Sequence, residues 1–318
     1  MPPRILKSMD ASIIIVTRNR AEDLKHTLQA MRHVVVPEGL KAEILVVDNG
    51  SSDGTAAVVK SCESGNIPVR YTVEPRPGQT HGRNRGLAET HGQMIIFTDD
   101  DVRPPPDWLS GMCEPLVQGK ADAASGGVRL APALQRPWMT SMHRSWLAAT
   151  DWITKDSPQS MVGANMAFSR EVLKKVPGFD SELGPGASGF CDDHLFAMQL
   201  SAAGYRIHDR TDLVIEHHFD SSRLTRASWL SAAEKRGASE AYVGHHWEHW
   251  GCRLGRVRLF MASRKLAAWR NSHPDSMTTE GCTEEELNLI YQHSMIKRHL
   301  EEHGRKRKYE FHGLVKLL

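Results

Sequence analysis

Residues 94–101, Met94-Ile95-Ile96-Phe97-Thr98-Asp99-Asp100-Asp101, decide the reading of the chain. The five residues Met94 to Thr98, four of them apolar, have the length and composition of a buried strand. They run into three carboxylates that no apolar interior accepts uncompensated, so the strand must end at a polar site. A divalent cation is the simplest compensation. The hard oxygens of Asp99 and Asp101 suit Mg²⁺ or Mn²⁺, and an octahedral ion with open positions would bridge to the oxygens of a bound diphosphate. The plainer alternative is a solvated acidic turn, continued by Pro104, Pro105 and Pro106.

Upstream, the pattern repeats. Ala11 to Val16 (ASIIIV) reads as a buried strand, followed by Thr17-Arg18-Asn19-Arg20 and a helix with Leu24, Leu28 and Met31 on one face. Glu43 to Val47 is the next strand; it ends in the turn-rich Asp48-Asn49-Gly50-Ser51-Ser52-Asp53-Gly54-Thr55, before a helix through Val58 and Val59. Val69 to Val73 is a third strand, Thr80 to Thr90 a helix, and Met94 to Thr98 the fourth strand. Alternating strands and helices predict a parallel sheet covered on both faces. In such sheets ligands sit at the carboxyl ends of the strands. Thr17 to Asn19, Asp48 to Ser51 and Asp99 to Asp101 all lie there and should share one crevice. Arg83, Asn84 and Arg85 can supply cations and donors to an anionic ligand beside a carboxylate-held metal.

With those stretches in order, SIIIVTRNR, EILVVDNGSSDGT and GQTHGRNRGLAETHGQMIIFTDDDVRPPPDWL, the region 10–110 resembles the nucleotide-binding half of family 2 glycosyltransferases. The resemblance implies a GT-A-type, Rossmann-like α/β fold: a mostly parallel central sheet flanked by helices, here with a C-terminal helical extension. It implies that Thr17, Arg18 and Asn19 lie against the nucleoside, that Asp48 binds the base and that Asp53 shapes the pocket. Arg83 would approach the diphosphate. Asp99 to Asp101 matches the DxD motif, with Asp99 or Asp100 facing the ribose and donor sugar and Asp101 on the metal. Asp48, Ser52 and Asp53 could equally serve as turn or cap residues.

Beyond the triplet, Trp108 to Val117 reads as a helix, Asp122 to Leu130 as a strand, Ala131 to Ser160 as irregular, and Met161 to Phe168 as a strand followed by a short helix at Arg170 to Lys175. Trp138, Trp146 and Trp152 fill an interior seam more readily than they stack on a sugar. The Gly184 to Gly189 string has GxGxxG spacing but neither follows a strand nor opens a mononucleotide unit; it reads as a flexible loop beside the site. Asp192-Asp193 then opens an amphipathic helix, where paired acids are partly explained by the helix dipole. The stretch GANMAFSREVLKKVPGFDSELG…DDHLFAMQLSAAGYRI is similar to the acceptor-side signature of the same family. That implies Asp193 as the catalytic base, with Asp192 and Gly189 on the acceptor side. Asp192 stands where the family usually has Glu, and Gln199 where it often has Arg. Strand pieces at Tyr205 to His208 and Thr211 to Glu216 end at His217-His218; a His at this place helps the metal or diphosphate in some relatives, and His217 is favoured.

Composition completes the expectations. The 318 residues suffice for one domain, 10–218, with a donor half 10–110 and an acceptor half 111–218, plus a helical, basic region 219–318. That region carries 17 Lys and Arg against 12 Asp and Glu, a net of +5, and ends in Arg305-Lys306-Arg307-Lys308. The five cysteines form no CxxC pair. No apolar run reaches membrane-spanning length, and residues 1–10 lack a leader's apolar segment. A cytoplasmic protein is expected, with peripheral contact to anionic membrane through the basic tail and no nucleic-acid partner. His245/His249 and His299/His303 have the i,i+4 spacing of helix-borne metal ligands, but two ligands do not make a site. The expected function is an inverting, metal-dependent transfer of a sugar from a nucleotide diphosphate, UDP first, to a hydroxyl acceptor. A nucleotidyltransferase and a non-catalytic nucleotide-sugar-binding scaffold are the rivals. The first normally has a Gly-rich N-terminal signature, which SIIIVTRNRAEDL lacks; retention of Asp101 and Asp193 speaks against the second.

Overall fold

The computed structural model describes residues 10–62, 65–151, 153, 161–273 and 279–317. Residues 1–9, Trp152 and 154–160, which entered the expectations above, lie outside the described residues.

The strands are β1 (Asp10–Thr17), β2 (Lys41–Asp48), β3 (Val69–Val73), β4 (Met94–Thr98), β5 (Val102–Arg103), β6 (Ala123–Leu130), β7 (Asn165–Ser169) and β8 (Ile207–His217). They form one sheet in the order β3-β2-β1-β4-β7-β6-β8-β5. The first four are parallel, with Ile13 between Ile44 and Ile96. Ile13, Ile14 and Ile15 are fully buried, each contributing about 1.5–3 kcal/mol. Helices α1 (Ala21–Met31), α2 (Thr55–Ser61) and α3 (Gln79–Glu89) follow β1, β2 and β3; α1 buries Leu24, Leu28 and Met31.

The second half departs from the all-parallel pattern. α4 (Trp108–Val117) and a short α5 (Ser141–Trp146), inside the stretch expected to be irregular, flank β6. β7 is shorter than the expected 161–168 strand and runs antiparallel to both β4 and β6. Its reversal sets Asn165 beside Thr98, so residues 161–164 reach the carboxyl end of β4 at the acidic triplet. The two expected pieces at 205–216 are one strand, β8, with a register shift opposite Gly126/Gly127. β5 pairs antiparallel with the end of β8, Val102 opposite His217, which carries His217 to the triplet.

α6 (Asp192–Ala202) covers the second half, and α7 (Arg226–His246), α8 (Gly255–Ser272) and α9 (Glu284–Glu302) complete the chain. Trp229 of α7 packs with Leu266, Leu287 and Ile290 and with Trp146, and the Trp138 ring meets its edge, so both described tryptophans fill a seam. Farther along, Tyr242, Val243 and Trp247 pack on Leu183 and Leu195. The C-terminal residues are pinned through buried Asp180, which accepts from Tyr242 (2.7 Å), Tyr309 (2.9 Å) and Lys316 (2.5 Å). In the basic tail, Lys308 pairs with Glu182 and Arg305 with Glu302, so two of its four cations are already engaged.

Candidate active site

The three carboxylates leave β4 into a cleft of about 1330 Å³. Asp100 and Asp101 are 4% and 1% exposed. Arg20, at the start of α1, donates to Asp100 (3.1 Å) and Asp101 (2.6 Å). Burial and the Asp101 charge push the Asp100 carboxyl up to about 7. Against the same burial, a charged His217 ring and Arg20 hold Asp101 well below the usual carboxylate range.

His217 lies on the other side of Asp101. Its Nδ1 meets the Leu147 carbonyl at 3.0 Å; a carbonyl only accepts, so Nδ1 carries the proton. Nε2 then turns a lone pair toward Asp101 Oδ1 at 3.2 Å, and that oxygen is buried with no hydrogen-bond donor. Two acceptors in contact require a cation between them or a second proton on the ring. Asp99 completes the group: ligand atoms of Asp99, Asp101 and His217 all lie within 4.8 Å of one another. Two carboxylates and an imidazole fit Mn²⁺ or Mg²⁺. His218 turns the other way and meets Glu216 at 2.7 Å.

The facing wall is built on Arg83. Its guanidinium is buried, makes a close ion pair with Asp192 and lies 4.0 Å from Asp99, between the edges of the site's two acid clusters. A Cβ on Gly163 would lie 2.1 Å from Arg83 Nη2, so a larger residue there would displace the guanidinium. Burial pushes Asp192 up to about 6 even with Arg83 against it. Asp193, half-buried and lining the cleft, instead accepts from the Gly163 N–H (2.8 Å) and the His194 N–H (2.8 Å). Both acids open α6 behind Cys191, whose φ of 69° is left-handed.

The outer residues divide. Thr17 and Arg18 line the cleft. Asn19 ties β1 to the turn after β2, its N–H donating to Ser51 Oγ and its Oδ1 accepting from Ser52 N, both at 2.8 Å. Asp48 ends β2 with both oxygens occupied, by Ser51 N (2.7 Å) and the Tyr71 hydroxyl (2.6 Å). Asp53 accepts from Ala21 N and Thr55 N, each at 3.0 Å, bracing the starts of α1 and α2. Gly189 and the loop before it line the cleft and are packed closely: a Cβ on Gly186 (φ 85°) would meet Gly78 Cα at 2.8 Å. Gln199 reaches the Gly313 carbonyl at 3.3 Å.

Three residues escaped sequence reasoning. Arg20 sits in a polar turn of the sequence, and no local pattern assigns it to carboxylates 80 residues on. Asn49, whose side chain holds Glu74 O, Arg76 O and Gly78 N, looks in sequence like one turn former among several. Arg223, lining the cleft near Asp101, lies in a segment without a motif.

A family model for glycosyl transferase family 2 matches residues 12–177, just over half of the chain. The chain belongs to glycosyl transferase family 2. The match ends before Asp192 and Asp193. Among curated relatives, this family 2 chain is 24% identical over 254 residues to the succinoglycan biosynthesis protein ExoA of Rhizobium meliloti, covering 76% of the chain and 72% of that protein. It is 30% identical over 118 residues to the glycosyltransferase AglE of Haloferax volcanii, covering 37% of the chain and spanning 38% of AglE. Of the uncharacterized glycosyltransferase YfnE of Bacillus subtilis it spans 26%, at 33% identity over 103 residues, 32% of the chain. Its fold matches the mannosyltransferase PcManGT of Pyrobaculum calidifontis, solved with GDP-Man and Mn²⁺, with a TM-score of 0.59 at 17% identity, covering 95% of this chain and 90% of that one. That likeness establishes the GT-A-type architecture.

Proposed function

We propose that the chain transfers a sugar from a nucleotide diphosphate donor, a UDP-sugar first, to a hydroxyl acceptor with inversion at the anomeric carbon. The observation that carries this reading is Asp101 Oδ1 facing His217 Nε2 across 3.2 Å with Asp99 alongside, a cation site at the ends of β4 and β8. Asp193 stands on the facing wall. Asp99, Asp101 and His217 would hold Mn²⁺ or Mg²⁺, which supplies positive charge to the departing diphosphate. Thr17 and Arg18 would lie against the nucleoside, with Asp48 and Asp53 shaping the turn beneath it. Arg83, fixed by Asp192, would place its remaining positive field at the diphosphate. Asp193, kept in place by two backbone N–H groups, would take the acceptor's proton as its oxygen attacks from the face opposite the leaving group. In this reading 10–110 is the donor half, 111–218 the acceptor half, and 219–318 an appended helical region.

The test is calorimetric titration of the purified chain with UDP-sugars, GDP-mannose and the free diphosphates, with Mn²⁺ and with EDTA. The expected result is metal-dependent binding of one nucleotide class. Absence of binding to every donor in the presence of Mn²⁺ overturns the reading in favour of a scaffold.

Peripheral attachment to an anionic membrane belongs to the same proposal, through a different surface from the tail. Leu254, Val257, Phe260 and Met261 are each more than half exposed and recur at helical spacing along the start of α8. Residues 252–272 carry six Lys and Arg and no Asp or Glu, the charge that suits an anionic bilayer surface. Among the described residues no helix is long and apolar enough to cross a membrane. Co-sedimentation with phosphatidylserine vesicles should fall about tenfold in Phe260→Glu, the worth of one buried aromatic side chain, and should also fall as salt is raised. Equal binding to neutral vesicles, or binding indifferent to Phe260→Glu, rules this surface out.

A further inference from the structure

A second cluster of metal-ligating side chains lies where the end of α7, the turn before α8 and the end of α9 meet. It unites one histidine of the first i,i+4 pair with both of the second. The other member of the first pair, His249, is turned away, its Nε2 at 3.0 Å from the Tyr309 carbonyl. Ligand atoms of Cys252, His299 and His303 all lie within 4.8 Å of one another. The His245 ring stands beside them, its centroid 6.0 Å from that of His299 and 6.4 Å from that of His303.

The hydrogen bonds fix which nitrogens are available. His299 Nε2 meets the Gly251 carbonyl at 3.3 Å and His245 Nε2 meets the Arg305 carbonyl at 3.1 Å. A carbonyl only accepts, so each ring carries its proton on Nε2 and a lone pair on Nδ1. Both Nδ1 atoms are buried without a hydrogen-bond partner, in residues only 8% and 2% exposed. A buried acceptor left without a partner is unfavourable, and ligation would satisfy both. An imidazole donating its other N–H to a backbone carbonyl is the arrangement that orients metal-bound histidines.

We propose that Cys252, His299 and His303, with His245 as the fourth donor, form a binding site for Zn²⁺. One sulfur with imidazole nitrogens is a borderline-soft set suited to zinc, whereas the carboxylate-rich cleft favours harder ions, so the two sites divide the metals between them. Binding transfers the Cys252 thiol proton to solvent as the Zn–S bond forms. The ion would join the α7–α8 turn to the end of α9. It would also fix Trp250, whose ring lies 6.1 Å from that of His299 and which lines the cleft.

The full-length chain, stripped with chelator, reloaded with zinc and desalted, should retain about one zinc per chain by mass spectrometry. Co²⁺ in its place should give the thiolate-to-cobalt charge-transfer band and the intense visible bands of a tetrahedral ion. Cys252→Ser should abolish the charge-transfer band. His303→Ala, a change at an exposed side chain that leaves the fold intact, should cut retained zinc to about a tenth or less. Asp101→Asn should leave zinc retention unchanged, which separates this site from the cleft. Zinc should raise the Tm of the stripped native chain by about 5 °C or more, with no such rise in His303→Ala. Failure to retain zinc, or retention unaffected by both Cys252→Ser and His303→Ala, overturns the assignment.

Discussion

Asp101→Asn should lower turnover by about 10³-fold and abolish its dependence on Mn²⁺, while the chain stays folded. Asn keeps the volume of the side chain but loses the anionic oxygens that face His217 and Arg20. Charge stabilisation at a leaving diphosphate is worth about 4 kcal/mol when one such contact is lost, and each 1.36 kcal/mol is a factor of ten. The fold should tolerate the change because Arg20 retains Asp100 at 3.1 Å and His217 retains the Leu147 carbonyl. The measurement is a rate profile against Mn²⁺ concentration in both proteins, with circular dichroism as the folding control. A variant that keeps metal-stimulated turnover within tenfold of the parent places the ion elsewhere and removes the central support for the proposed function.

The donor half was legible because its signals are local. Apolar and β-branched runs of five or six residues gave β1 to β4 to within two residues at either end, and the polar residues at their carboxyl ends could be placed in one crevice without knowing any contact. The second half was harder for physical reasons. β7 is buried apart from its last residue and so has no alternation, and nothing in Asn165–Ser169 encodes its direction. β5 is two residues long. The choice between His217 and His218 was, by contrast, within reach. The end of β8 alternates buried and half-buried residues from Leu213 to His217, and carrying that period onward puts His217 inside and His218 outside. The histidines of the second cluster could not be paired from spacing, because His245 and His299 belong to helices that meet only in the folded chain.

The base assignment makes the other large prediction, and it turns on the contrast between two neighbouring carboxylates. Asp192 is buried and ion-paired with Arg83, so its role is to fix that guanidinium. Asp193 is half-buried, lines the cleft, and is oriented by two backbone N–H groups. Asp193→Asn preserves both size and position but cannot accept a proton from the acceptor hydroxyl. Loss of a positioned general base should lower kcat by about 10²–10⁴-fold. Donor and metal affinity should stay near the parent value, because Asp99, Asp101, His217 and Arg83 are untouched. Asp192→Asn should do the reverse in kind: it frees Arg83, so the KM for donor rises while kcat falls less. Steady-state kinetics on both variants, with donor binding measured separately, read this split. Full turnover in Asp193→Asn, or a kcat defect confined to Asp192→Asn, would move the proton-accepting role from Asp193 to its neighbour. The cation site would then still stand on Asp101 and His217, whose partners are Arg20 and the Leu147 carbonyl rather than either of these acids.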